Sequence, residues 1–217
     1  FEQFIGFLGM NAKDIQKKYY VYYGEDVDAE GIYRKVGNRS KQIIREEGVP
    51  EKAGLRDLLQ VVREKGLRTA VASGSDTDVI KEYLDRTGLR KDFDMILSSK
   101  DVKRGKPFPD VFLEICKKFD IKPEETLVLE DSANGVQAAL AGNLPVINIP
   151  DLLPIPKEQQ EKCVAVVDNL KEVIPYITQG KFKPKLYAVL PLSDADTAHK
   201  IVEENQNIGK VILTVTE

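Results

Sequence analysis

The 217-residue sequence predicts an α/β fold: an open, Rossmann-like parallel sheet covered by helices, with a small helical unit before it and a short β-α-β segment after it. Three observations predict it. Between Lys52 and Ile177 short apolar runs alternate with segments of helical period, the order that a parallel sheet with crossover helices requires. The runs are apolar throughout rather than alternating, as strands covered on both faces are. The first 50 or so residues, by contrast, are aromatic, charged and helical in period, with no such run.

The elements follow in order. The stretches FEQFIGFL, DIQKKYYVYY and YRKVGNRSKQIIREEG make a helical unit, residues 1–50. Leu55, Leu58, Leu59 and Val62 recur at helical spacing until Gly66 ends the segment, and residues 69–72 form the first strand. Val79, Tyr83 and Leu84 mark the next helix, 95–97 a strand, and 111–119 a helix after Pro109. Residues 126–129, 145–149 and 164–167 are further strands, with a small-residue helix at 135–141 and a closing helix at 170–177. The α/β unit therefore spans 51–178, a linker 179–185, and a strand-helix-strand tail 186–217.

Composition narrows the partners. Lys and Arg number 32 against 35 Asp and Glu, a formal net charge of −3, and no basic stripe is present to neutralise a row of phosphates, which argues against nucleic acid. No window approaches the ~18 apolar residues of a membrane span, and Phe1 to Gly9 lack the features of a signal peptide, so a cytoplasmic address is expected. Cys116 and Cys163 fit no metal or redox spacing and read as core residues. A monomer is the expected state.

Three segments place chemistry at the carboxyl ends of strands, where open α/β sheets bind ligands. In VASGS, Ser73 and Gly74 precede Ser75, Asp76 and Thr77 at a helix start, where a hydroxyl and free N–H groups can hold an anion or simply cap the helix. In RGKPFPD, Lys106 is fixed before Pro107 near the sheet edge rather than on a helix surface, and can hold a phosphoryl oxygen. In LVLEDSANG, a fully apolar strand runs into Glu130 and Asp131, hard oxygen ligands suited to Mg²⁺. Hydroxyl, ammonium and paired carboxylates on one sheet edge are what phosphoryl transfer asks for. A nucleophile is missing from the set, and His199, the only histidine, falls on an expected surface helix.

The segments VASGS, GKPFPD and EDSANG resemble motifs two, three and four of the haloacid dehalogenase-like hydrolases, in the branch of the β-phosphoglucomutase-like phosphatases. GVPEKAGLRDLL, INIPDLLP and NLKEVIPYI extend the resemblance over residues 1 to about 178. It implies a helical cap on a Rossmann-like core and Mg²⁺-dependent phosphoryl transfer on a small phosphorylated metabolite. Ser73 would bind the phosphoryl oxygens, Lys106 would balance charge, Glu130 and Asp131 would hold the metal, and Gly74, Asp76 and Thr77 would lie near substrate. The family's first motif, a strand ending in Asp-x-Asp-Gly, has no counterpart in these 217 residues. The chain is therefore expected to lack the nucleophile and turnover, and its sheet to have a gap between the strands ending at Ser73 and Glu130.

The tail, PLSDADTAHKIVEENQNIGKVILTV, resembles the end of a medium-chain quinone or alcohol dehydrogenase without its nucleotide or zinc residues. Residues 211–215 have two possible placements: inside the gap, or against 186–190. The alternative to an enzyme is a non-catalytic phosphate- or partner-binding protein. A receiver-like domain with Asp131 as phosphoacceptor is a third reading, disfavoured by the cap and by GKPFPD.

Overall fold

The computed structural model describes residues 12–179, 186–191 and 210–214. The expected helix around 195–204, His199, most of the linker and the first eleven residues lie outside them.

The N-terminal unit is a helical hairpin, α1 (Ala12–Tyr23) and α2 (Ala29–Glu47). Gly24, at φ 89°, takes the left-handed conformation that ends α1, and its N–H bonds Tyr20 O at 3.0 Å. Asp28 then caps α2, accepting the Gly31 N–H at 2.8 Å. Arg45 of α2 reaches Glu82 at 3.6 Å and ties the hairpin to the rest of the molecule.

The α/β part follows the predicted order: α3 (Leu55–Glu64), β1 (Ala70–Ser73), α4 (Thr77–Thr87), β2 (Met95–Ser98), α5 (Asp110–Phe119), β3 (Val128–Glu130), α6 (Ala133–Ala141), β4 (Val146–Asn148), α7 (Lys157–Gln160) and β5 (Ala165–Val166). The short α7 has no counterpart in the sequence reading, because its one polar turn carries no periodic signal. The closing helix is divided into a 3₁₀ turn, Leu170–Val173, and α8 (Ile174–Thr178). Pro175 sits in the first turn of α8, where its missing N–H costs nothing.

Every described strand pair is parallel, as predicted, but the strands do not form one sheet. β1 pairs with β2, Ala70 opposite Met95 and Ser73 opposite Ser98. β3, β4 and β5 form a second sheet, with Val128 opposite Val146 and Ile147 opposite Ala165. Between β1 and β3 no ladder is formed among the described residues, so the gap falls where it was expected.

β4 holds the centre of the core. Its side chains alternate between faces: Val146 packs with α5 and α6 residues such as Phe112 and Val136, while Ile147 packs with Leu58 of α3 and with Leu170 and Val173. Cys116 is buried in the first of these clusters, as expected, and Cys163 lies half-buried beside it.

β6 (Leu186–Pro191) and β7 (Lys210–Thr214) pair in parallel with each other. Of the two placements open for the C-terminal strand, the structure takes the one against residues 186–190. No described helix is long and apolar enough to cross a membrane.

Candidate active site

The site is built where β1, β3 and the loop after β2 meet. Lys106 is delivered by that loop, through a cis Lys106–Pro107 peptide, one turn before α5. Its ammonium, largely buried, donates to Ala72 O of β1 at 3.2 Å, forms an ion pair with Glu130 at the end of β3, and lies 4.9 Å from the centroid of the Phe112 ring. One side chain thus spans the carboxyl ends of two strands that share no hydrogen bond. Those ends lie side by side.

Glu130 is buried and held on all sides. Besides Lys106 it accepts the N–H groups of Asp131 at 3.1 Å and Ser132 at 3.2 Å, and the Ser132 hydroxyl at 3.1 Å. Its carboxylate lies under the first turn of α6, where partial positive charge from free N–H groups favours an anion. Gly135 makes this fit possible, since a Cβ there would collide with the carboxylate. Ser132 also caps α6, accepting the Gly135 N–H at 3.1 Å. Glu130 therefore acts here as an anchor with its acceptor positions filled by protein donors, a poor fit to a metal ligand.

Asp131, by contrast, reaches solvent. Partial desolvation, followed by the neighbouring Glu130 charge, raises its carboxyl above the ordinary carboxylate range, against a smaller opposing pull from Lys52. A hard cation beside Asp131 would relieve that, so of the two carboxylates Asp131 fits Mg²⁺, which needs only one or two and keeps its waters.

Ser73 ends β1 one residue beyond Ala72, whose carbonyl takes Lys106, while of the four expected site residues Glu130 and Asp131 line the cleft described below. Its hydroxyl accepts the Ser75 N–H at 3.1 Å, closing the turn through the exposed Gly74. Asp76 and Thr77 are engaged elsewhere. Asp76 stands at the N-cap of α4 without making the cap bond; it pairs with Lys100 at 2.8 Å, and that hydrogen bond and charge hold its carboxyl below the ordinary range. The Thr77 hydroxyl donates to Asp101 at 2.7 Å.

Sequence reasoning missed Lys100 and Asp101, which follow β2, and Lys52. The first two lie just beyond Ser99 after the apolar strand β2, and extending the strand-end rule by two residues there finds them. Lys52 precedes α3 and carries no local signal.

An open cleft of about 520 Å³ runs down from Glu130 and Asp131 between β1 and β3. Residues 69–72 form one wall and 126–129 the other, and helices α3 and α5 cover its two sides.

Comparison with known proteins places these features. A sequence model of the haloacid dehalogenase-like hydrolases matches residues 1–149. A phosphorylated carbohydrates phosphatase from Thermotoga maritima is 31% identical over 112 residues, 52% of this chain and 52% of its own length. Hexitol phosphatase B from Escherichia coli is 30% identical over 123 residues, 57% of this chain and 54% of its own. The chain spans about half the length of these curated relatives. Among solved structures, CbbY from Rhodobacter sphaeroides, in complex with xylulose-1,5-bisphosphate, superposes with a TM-score of 0.59 at 26% identity, covering 68% of this chain and 67% of that one. The β-phosphoglucomutase of Clostridium difficile gives 0.65 at 19% identity over 83% and 81%, a likeness of fold.

Proposed function

The chain belongs to the haloacid dehalogenase-like hydrolase family, and from that premise we propose that its site serves a Mg²⁺-dependent phosphatase or phosphomutase acting on small phosphorylated metabolites such as sugar phosphates. The observation that carries the reading is Lys106, a largely buried cation fixed between the carboxyl ends of β1 and β3 by Ala72 O and Glu130. A fixed positive charge in a partly desolvated cleft stabilises equatorial phosphoryl oxygens more than one in water can.

The roles follow from position. The Ser73 hydroxyl, at the end of β1, accepts the Ser75 N–H through its oxygen and can donate its own O–H to a phosphoryl oxygen at the same time. Lys106 compensates the phosphoryl charge, and Glu130 holds Lys106 in place. Asp131 is the metal ligand, and the metal when bound supplies further positive charge to the phosphoryl group. Gly74 leaves the approach to Ser73 open, since nothing lies within 4 Å of a Cβ built there. Asp76 and Thr77, on the adjoining rim, would meet the remainder of the substrate. The covalent step needs a carboxylate nucleophile on a strand ending Asp-x-Asp-Gly, which these residues do not contain, so binding without turnover is the activity proposed for this chain. The tail, residues 186–217, is read as an appended dehydrogenase-like segment.

The test has two parts. With Mg²⁺ and a panel of sugar phosphates the chain should release no phosphate above background, whereas titration with inorganic phosphate should detect binding that Lys106→Met weakens by about tenfold or more, the scale of one charged hydrogen bond. Phosphate affinity unchanged in Lys106→Met sinks the assignment. Turnover abolished by Asp131→Asn would reveal a nucleophile within the chain.

A further inference from the structure

The carboxyl end of β2 carries an inference that rests on the phosphate-binding role proposed for Ser73 and deepens it. Among the described residues the buried polar side chains are Ser98, Ser99, Glu130 and Asn148, each at the carboxyl end of a strand or directly after it. An apolar strand that closes on a buried hydroxyl has to give that hydroxyl partners inside the protein, or the desolvation of the group counts against folding.

Ser98 finds its partners in the turn that carries the Ser73 hydroxyl. It stands directly opposite Ser73 in the β1–β2 ladder and is wholly buried. Its hydroxyl donates to Ser75 O at 2.7 Å and accepts the Lys100 N–H at 3.1 Å, so its one proton is committed and its rotor is fixed. Ser75 is thereby held on both sides, its N–H by the Ser73 oxygen at 3.1 Å and its C=O by Ser98. Little else steadies this turn. Gly74 is exposed, with nothing within 4 Å of a Cβ built on it. Asp76 makes no cap bond to α4, and its ion pair with Lys100 is exposed, where such pairs contribute little.

The hold on Ser75 reaches Ser73. The Ser75 N–H occupies one side of the Ser73 oxygen, and this sets the direction left for the hydroxyl's own proton. When the Ser75 peptide swings, that bond is lost and the proton turns to the nearest acceptor instead of the phosphoryl group. We propose that Ser98 is a positioning residue for phosphate binding: acting through Ser75, it fixes the Ser73 hydroxyl in the orientation that donates to a phosphoryl oxygen. Ser98 itself touches neither phosphate nor metal.

A double-mutant cycle tests this, read by titrating the full chain with inorganic phosphate, with urea denaturation of every variant alongside. Ser98→Ala should weaken phosphate binding by about three- to tenfold, the scale of one hydrogen bond, and Ser73→Ala by at least as much. Added to Ser73→Ala, Ser98→Ala should have no further effect on affinity, because the group it orients is gone. Ser99→Ala removes the neighbouring buried hydroxyl, which has no partner among the described residues, and should leave affinity unchanged. Ser98→Cys, close to serine in shape but only a weak donor, should weaken phosphate in the same direction and replaces the alanine variant should that one fail to fold. A merely structural hydroxyl would lower the urea midpoint of Ser98→Ala and leave phosphate affinity as it was, and that result overturns the proposal. An affinity loss of equal size with and without Ser73, or one matched by Ser99→Ala, overturns it as well. Lys106→Met in the same titration separates the two levels. If Lys106→Met and Ser73→Ala weaken binding and Ser98→Ala does not, the positioning role alone fails; if none of the three does, the phosphate site fails and the positioning role falls with it.

Discussion

β1 and β4 are both short apolar strands in parallel pairings, Ala70–Ser73 and Val146–Asn148, yet no residue of β1 is buried and every residue of β4 is. The difference lies in their edges. β4 has a strand on each side, while β1 has β2 on one side and the cleft on the other. β3 sits between these cases. Val128 and Glu130 are buried, but Leu129, whose peptide group faces the cleft, is 37% exposed. Apolar content alone does not bury a strand; a covered edge is also needed, and the polar rim of the site forms where that cover is missing.

If this contrast is energetic as well as geometric, large-to-small changes should separate the two regions. Ile147, wholly buried in β4, should lose about 2–5 kcal/mol on Ile147→Ala, because a rigid cavity is left behind. Val71→Ala in β1 should lose clearly less, since its surroundings are open. Urea denaturation of both variants measures this, and equal losses would mean that β1 is packed as tightly as β4.

The second way to sharpen the contrast is to remove the ion pair that joins the two regions. Glu130→Gln keeps the size but leaves Lys106 a largely buried cation with only Ala72 O and the Phe112 face. Breaking a buried pair from one side costs about 3–5 kcal/mol, and the open cleft, by admitting water, should bring this to about 2–3 kcal/mol. Lys106→Met added to Glu130→Gln should recover part of the loss. If the double variant is as unstable as the sum of the two single variants, Lys106 and Glu130 are not coupled and the bridge between β1 and β3 has no energetic role.

Much of this was legible in the sequence because parallel strands announce themselves by unbroken apolar runs. The residues at their carboxyl ends, Ser73, Glu130 and Asp131, could then be placed on one edge without coordinates, and Lys106 followed from its proline-fixed loop. What could not be read is how the side chains distribute themselves once there. Asp131 and Glu130 are neighbours of identical chemistry, and the sequence treats them as a joint metal site. Pleat alternation instead turns Glu130 inward, beneath the Gly135 turn, and leaves Asp131 at the surface. Likewise nothing local in SGSDT reveals that Asp76 and Thr77 engage Lys100 and Asp101, because those contacts cross between elements 24 residues apart in sequence. The gap between β1 and β3 was expected from the family resemblance and not from the strands themselves: each strand carries its own signal, but an edge is a property of two strands at once.

The smallest expected effect concerns how the Lys106 loop is held from outside the sheet. Arg104 makes two hydrogen bonds to the Asp110 carboxylate, at 3.1 and 2.9 Å, and its guanidinium lies 4.4 Å from the Phe108 ring centroid, so both ends of the GKPFP segment are clasped together. Asp110 also opens α5, where a negative charge is favoured. The hydrogen bonds from Arg104, then its charge, hold the Asp110 carboxyl below the ordinary range. A carboxyl depressed in the folded state adds stability that is fully present above its unfolded value of about 3.9 and is lost as pH falls through the lower folded value. Asp110→Asn should therefore be less stable than the parent at pH 6 by a small margin that shrinks steadily below about pH 4 and is reduced by about 1 M salt. Paired denaturation curves at pH 6 and at pH 3, with and without salt, measure it. A margin that persists unchanged at pH 3 would show that the Asp110 contribution is packing rather than charge, and that the loop carrying Lys106 is fixed by Glu130 and Ala72 O alone.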